Sequence, residues 1–155
     1  MTKLFISILL FSSLSLTAQQ DKVGILKPIK SMFDGMRAGD SLMVRTSFVS
    51  DAAMHSTYIN KEGKKQFRKG SLEQFLTAVG TPHDEIWDEQ IFSYKIEQDG
   101  TLASVWTEYT FYLGAKMSHC GVNAFQLVDT EEGWKILNIT DTRRTENCKL
   151  KDSTN

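Results

Sequence analysis

Hydrophobic positions recur at three-and-four spacing in the first half of the chain and at a spacing of two in the second. Ile25, Ile29, Met32, Phe33 and Met36 share one face of a helix expected over Asp21–Arg37. Pro28 suits such a helix best near its first turn. Gly39 ends it, and Asp40 is placed to cap a second short helix through Leu42, Val44 and Phe48. Ala52–Asn60 then reads as a first strand, and the charged run Lys61–Lys69 as a solvated loop. Ser71-Leu72-Glu73-Gln74 has the form of a capping box, opening a helix with Leu72, Phe75, Leu76 and Val79 on one face. Gly80 and Pro82 stop it.

From Ile86 onward the alternation predicts strands over Ile86–Glu97, Leu102–Leu113, Lys116–Val128 and Trp134–Arg143. Asp99-Gly100, Gly114-Ala115 and Thr130–Gly133 supply the turns. Helices followed by a curled antiparallel meander imply an α+β fold whose sheet buries one face against the helices. On the more apolar, concave face the alternation places Tyr94, Val105, Thr107, Tyr109 and Phe111. A three-residue turn after Leu113 adds His119, Asn123 and Phe125 to that face, whereas a two-residue turn would bring Cys120, Val122 and Ala124. Phe125 and Leu127 belong in a core and favour the first. The last strand then contributes Leu137, Ile139, Asp141 and Arg143 unless a bulge reverses it. Met54, Ser56 and Tyr58 share one face of the first strand. The convex face receives Trp87, Ile91, Trp106 and Tyr112, an aromatic patch expected to join two copies sheet to sheet.

The first residues carry a different pattern. Lys3, the apolar Leu4–Leu16 run and the small Ala18 make a secretory signal with cleavage after residue 18, too short to span a bilayer of roughly 20 helical residues. Export is therefore expected, to the periplasm or the medium. The organisation read from the sequence is a signal peptide at 1–18, one domain at 19–146 and a polar tail at 147–155 expected to fray. Loss of Lys3 moves the net charge from −1 to −2, and no basic face invites nucleic acid. Cys120 and Cys148 could pair in an oxidising compartment, but their placement, mid-strand and beyond the last strand, weighs slightly against a bridge. No Cys/His spacing suits zinc, and no motif calls for a cofactor.

Candidate chemistry gathers where the polar positions interrupt the concave face. His119 beside Asp141 could serve as a general base oriented by the carboxylate, although a strand histidine satisfied by a single hydrogen bond is the commoner case. Tyr94 and Tyr109 could donate to a ligand oxygen, with Asn123, Ser56 and Tyr58 lining the same pocket. Arg143 is expected to pair with Asp141 at the mouth or to clamp an anion.

The helix bearing Met32-Phe33, the short helix, the strand "DAAMHSTYIN", the next helix and the meander ending "GWKILNITDTRR" together resemble the nuclear transport factor 2-like superfamily, and within it the exported SnoaL-like branch. The resemblance covers residues 21–144. It implies a cone-shaped α+β barrel with a pocket at the wide end, often dimeric through the sheet. The chain departs from the ketosteroid isomerases of that superfamily at three positions. His55 or Ser56 stands where their proton-shuttling acid belongs, Met32, Phe33 and Met36 where their tyrosine belongs, and Asn123 near their second acid. The function expected is thus an exported, non-catalytic domain binding a small, partly apolar molecule. A lyase or isomerase using His119, and a structural homodimer with a vestigial cavity, are the alternatives.

Overall fold

Two capped helices set the entry to the sheet. In the computed structural model, which describes residues 13–151, α1 spans Ser13–Ala38 and α2 spans Ser41–Thr46. Residues 1–12 of the expected signal lie outside the described residues. Helix α1 begins upstream of the predicted Asp21 and runs unbroken past Ala18, so Pro28 falls inside it rather than in its first turn. Gly39 ends α1 in the left-handed region at φ 67°, and Asp40 accepts from the Met43 amide as the cap of α2. The two helices cross closely: a Cβ on Gly35 would stand 2.8 Å from Val44 Cγ2, a contact only glycine permits.

Strands β1 (Phe48–Ile59) and β2 (Lys65–Ser71) form a hairpin, followed by α3 (Leu72–Gly80), β3 (Trp87–Ile91), β4 (Lys95–Asp99), β5 (Leu102–Leu113), β6 (Lys116–Thr130) and β7 (Gly133–Arg143). The sheet order is β2-β1-β7-β6-β5-β3, with β4 also on β5. Pairing is antiparallel except between β1 and β7, which run parallel, so the sheet is mixed rather than a pure antiparallel meander. It curls without closing into a barrel. The charged run read as a loop is largely β2: an edge strand needs only its inward positions apolar, and charge on its rim discourages further pairing. The core lies between the concave face and the helices, where Ile25, Ile29, Val79, Phe125, Leu127 and Ile136 are fully buried and Phe33 meets Phe125 edge to face.

Irregularities in the register decide which side chains face the helices. The Gly114-Ala115 turn has two residues, not three, yet Phe111 pairs with His119 while Tyr112 pairs with Met117. Ser118 is the extra residue of a bulge, and it restores the parity that a longer turn would have given. A second bulge at Leu137 buries Ile136 instead, leaving Leu137 37% exposed. The predicted strand Ile86–Glu97 breaks at Phe92-Ser93-Tyr94. Beyond the break Ile96 pairs with Val105, but before it Ile91 pairs with Tyr109 and Glu89 with Phe111. That one-residue slip turns every β3 side chain over. Trp87 and Ile91, expected on the convex face, accordingly pack against the core.

The tail does not fray. Cys120 and Cys148 form a disulfide, against the balance of the sequence reading, with Cα atoms 5.6 Å apart. Residues beyond β7 are strapped across the convex side of β5 and β6: Arg144 bridges to Cys120, Thr110 Oγ1 donates to the Lys149 carbonyl at 2.6 Å, and the Lys151 amide donates to Tyr112 Oη at 2.9 Å. Lys149 pairs with Glu108. Tyr112 does face the convex side, but beneath this strap, and it is only 9% exposed. Trp106 remains open at 52%.

Candidate functional site

The concave face, α1 and α3 leave a cavity of about 340 Å³ between them. One wall is apolar: Met32, Phe33 and Met36 come from α1 and Phe75 from α3, while Trp87 and Phe111 meet edge to face on β3 and β5. The other wall is polar, built by Ser56 of β1, Glu89 of β3, His119 and Asn123 of β6, and Asp141 and Arg143 of β7. Alternation puts these groups together because β6 and β7 pair Asn123 with Asp141, while β1 and β7 pair Ser56 with Asp141.

Two carboxyl groups organise the polar wall. Asp141 Oδ2 accepts from Tyr109 Oη at 3.2 Å and from Arg143 Nε at 2.7 Å. Tyr109 Oη also lies 3.0 Å from the Thr142 carbonyl, so its one proton serves two acceptors. Asp141 Oδ1 is buried and has no partner among the described residues. Glu89 Oε1 accepts from Asn123 Nδ2 at 2.7 Å, and Asn123 also reaches Thr107 Oγ1 at 3.3 Å. Asn123 thereby stands between the two carboxyls.

Burial dominates the ionisation of this wall. It pushes Glu89 up to about 7; the nearby Asp141 charge adds to the rise, while the Asn123 hydrogen bond and Arg143 oppose it. Glu89 is half-buried as a residue, but its carboxyl is enclosed by protein, and that enclosure governs its proton. His119 is pulled down to about 4, first by burial and then by the Arg143 charge, against the pull of Asp141. Tyr109 is raised far above its ordinary range by burial and by Glu89 and Asp141. Between about pH 5 and 9 His119 is neutral and Glu89 changes charge.

The predicted site residues are thus partly gathered. Tyr109, His119, Asn123, Asp141, Arg143 and Ser56 surround the cavity. His119 is not oriented by Asp141: its Nδ1 lies 3.1 Å from Ser118 Oγ, and its ring packs against Tyr109 and Phe111. Tyr94 falls in the break between β3 and β4, 39% exposed, and Tyr58 is 37% exposed; neither lines the cavity. Glu89, which does, was hidden by the slip in β3. Its signal in the sequence was Trp87-Asp88-Glu89-Gln90-Ile91, where an apolar–polar alternation would equally well have placed Trp87, Glu89 and Ile91 inward. Among the described residues no three His, Cys, Asp or Glu side chains gather in a metal-binding cluster.

Comparison with known families settles the lineage. Residues 20–140 match the family described as "Putative lumazine-binding". This chain belongs to that family. The family shares the nuclear transport factor 2-like fold, and solved structures agree. A nuclear transport factor 2-like protein of unknown function from Shewanella baltica superposes with a TM-score of 0.61 at 14% identity, covering 83% of this chain and 97% of its own. A nuclear transport factor 2-like protein with a cystatin-like fold from Novosphingobium aromaticivorans gives 0.68 at 11%, covering 92% and 94%. One described as a putative scytalone dehydratase from the same organism gives 0.66 at 13%, covering 88% and 93%. At these identities the likeness is one of fold. No curated protein matches the chain.

Proposed function

We propose that this member of the lumazine-binding-like family is an exported domain that holds a small, planar, partly apolar molecule in the cavity between its sheet and helices, without transforming it. The observation that carries the reading is Asp141 Oδ1, a buried carboxylate oxygen in the cavity wall with no partner among the described residues. Burying such a group unpaired costs about 1–3 kcal/mol or more, a cost that a ligand donor would remove. The apolar wall of Phe33, Trp87 and Phe111 offers flat surface to a ring, and the polar wall offers a few fixed groups for orientation. The family's printed description, lumazine-binding, fits a flat heterocycle of this kind. Export rests on the amino-terminal pattern and accords with the disulfide, which suits an oxidising compartment.

Native mass spectrometry of the protein purified from its own host tests the reading. The expected result is a mature chain beginning at Gln19 that carries a small molecule lost on denaturation. A bare chain that also shows no thermal shift with lumazine overturns it, and a retained Lys3–Ala18 segment overturns export. A lyase or isomerase reading now draws support from Glu89 rather than His119, because Glu89 exchanges its proton near neutrality while a base held down near 4 is a weak one.

A further inference from the structure

Asp141 and Glu89 face the cavity with opposite hydrogen-bonding needs. Asp141 Oδ2 is occupied by Tyr109 and Arg143, which leaves Oδ1 as an acceptor without a donor among the described residues. Glu89 Oε1 is occupied by the Asn123 amide, so any proton on this carboxyl belongs on Oε2, which then becomes a donor. Asn123 fixes the separation between the two, holding Glu89 by its amide while its backbone pairs with Asp141. Wild-type Asn123 spends its amide hydrogens on Glu89 and Thr107, and His119 engages Ser118, so neither competes for this role.

We infer that the cavity selects ligands whose edge carries an N–H beside a carbonyl, a cyclic amide or imide, with the N–H donating to Asp141 Oδ1 and the carbonyl accepting from Glu89 Oε2. The inference rests on the small-molecule reading above and adds to it the chemical class of the ligand. The aromatic wall takes the ring and the carboxyl pair takes the edge. An amine or a ring lacking N–H leaves one of the two groups unmatched, and a buried unmatched polar group discriminates strongly.

Recognition of this kind depends on protonation. The groups facing Glu89 are Asn123 on β6, Asp141 and Arg143 on β7 and Tyr109 on β5, with His119 in the same wall. Burial, aided by Asp141, keeps Glu89 protonated up to about pH 7, while His119 and Tyr109 keep one state from about pH 5 to 9. Affinity should be full below about pH 7 and fall above it as Glu89 loses the donated proton.

The probes are 2-quinolone, a flat bicyclic lactam that does not ionise between about pH 5 and 9, and N-methyl-2-quinolone, which lacks the N–H. Calorimetric titration of the mature protein should show 2-quinolone binding at pH 6 at least tenfold more tightly than its N-methyl form, and at least fivefold more weakly at pH 8.5 than at pH 6. Glu89→Gln keeps a donor at this position at every pH and should abolish the pH dependence while retaining binding. Asp141→Asn should lose binding tenfold or more: Tyr109 and Arg143 retain its oxygen, which turns the amide NH₂ toward the ligand N–H. A circular dichroism melt verifies that each variant is folded. Equal binding of the two quinolones, no binding of either, or a pH dependence that survives Glu89→Gln overturns the inference. A co-purified molecule lacking a lactam edge would do so while leaving the small-molecule reading intact.

Discussion

Asn123 on β6 donates to Glu89 on β3 at 2.7 Å, across the intervening strand β5. That single contact brings a carboxyl from the edge of the sheet into the polar wall of the cavity, where burial changes its chemistry.

Stability should register this directly. Glu89 titrates near 7 in the fold against an ordinary 4.5, so the folded state holds the extra proton between those values. A raised pKa means stability that is present in full below 4.5 and lost as pH rises through 7. The difference corresponds to roughly 3 kcal/mol. Glu89→Gln should therefore be neutral near pH 4.5 and stabilising by about 2–3 kcal/mol at pH 8, measured by urea unfolding at both pH values.

His119 works in the opposite sense. Held near 4 against an ordinary 6.5, it is neutral in the fold while the unfolded chain would be protonated. Its contribution is present above 6.5 and lost as pH falls toward 4. The two slopes oppose each other between 4.5 and 6.5, so these groups should leave the wild-type curve nearly flat there. His119→Asn should unmask a decline in stability with rising pH across that window; an unchanged curve would show that His119 titrates normally.

The disulfide closes a loop between residues 28 apart. Such a loop contributes roughly 3 kcal/mol by restricting the unfolded chain. Reduction under non-denaturing conditions should lower the midpoint of thermal unfolding by several degrees and raise hydrogen exchange at the amides of Cys120 and Lys151, which the strap now engages.

Gly121 should tolerate no side chain. An added Cβ would overlap the Thr142 carbonyl oxygen, the same oxygen that accepts from Tyr109 Oη. Gly121→Ala must push β7 away from β6, and we expect a loss of about 2–4 kcal/mol with disruption of the Tyr109–Asp141 contact. An alanine variant as stable as wild type would contradict this packing.

The convex face offers a smaller apolar patch than the alternation suggested. Trp106 and Leu102 remain exposed, while Trp87 and Ile91 face the core and Tyr112 lies under the strap. If two copies associate through this face, Trp106→Glu should dissociate them, because a charge would be buried without a partner. Sedimentation at micromolar concentration decides it, and a wild-type monomer would remove the interface altogether.

The sequence was informative where side-chain alternation ran without interruption and misleading where it slipped. Val105, Thr107, Tyr109 and Phe111 were legible as inward because β5 pairs regularly with β6 through Phe111. His119 and Asn123 were placed correctly for an incorrect reason: the bulge at Ser118, not a longer turn, sets their parity. Glu89 was not legible. Phe92, Tyr94 and Ile96 continue an apolar alternation straight through a break that no residue pattern announces, since the break is made by backbone pairing and not by composition. Strand β2 was missed because charge on an edge strand looks like charge on a loop.

The parallel pairing of β1 with β7 also has a temporal meaning. The first strand of the sheet has no partner on one side until the last strand has been synthesised, and that contact spans most of the domain. Contacts of such separation form late and slowly. A nascent chain would thus leave its N-terminal half without a completed sheet, an interval in which a translocation machinery that threads unfolded polypeptide could engage it before it locks.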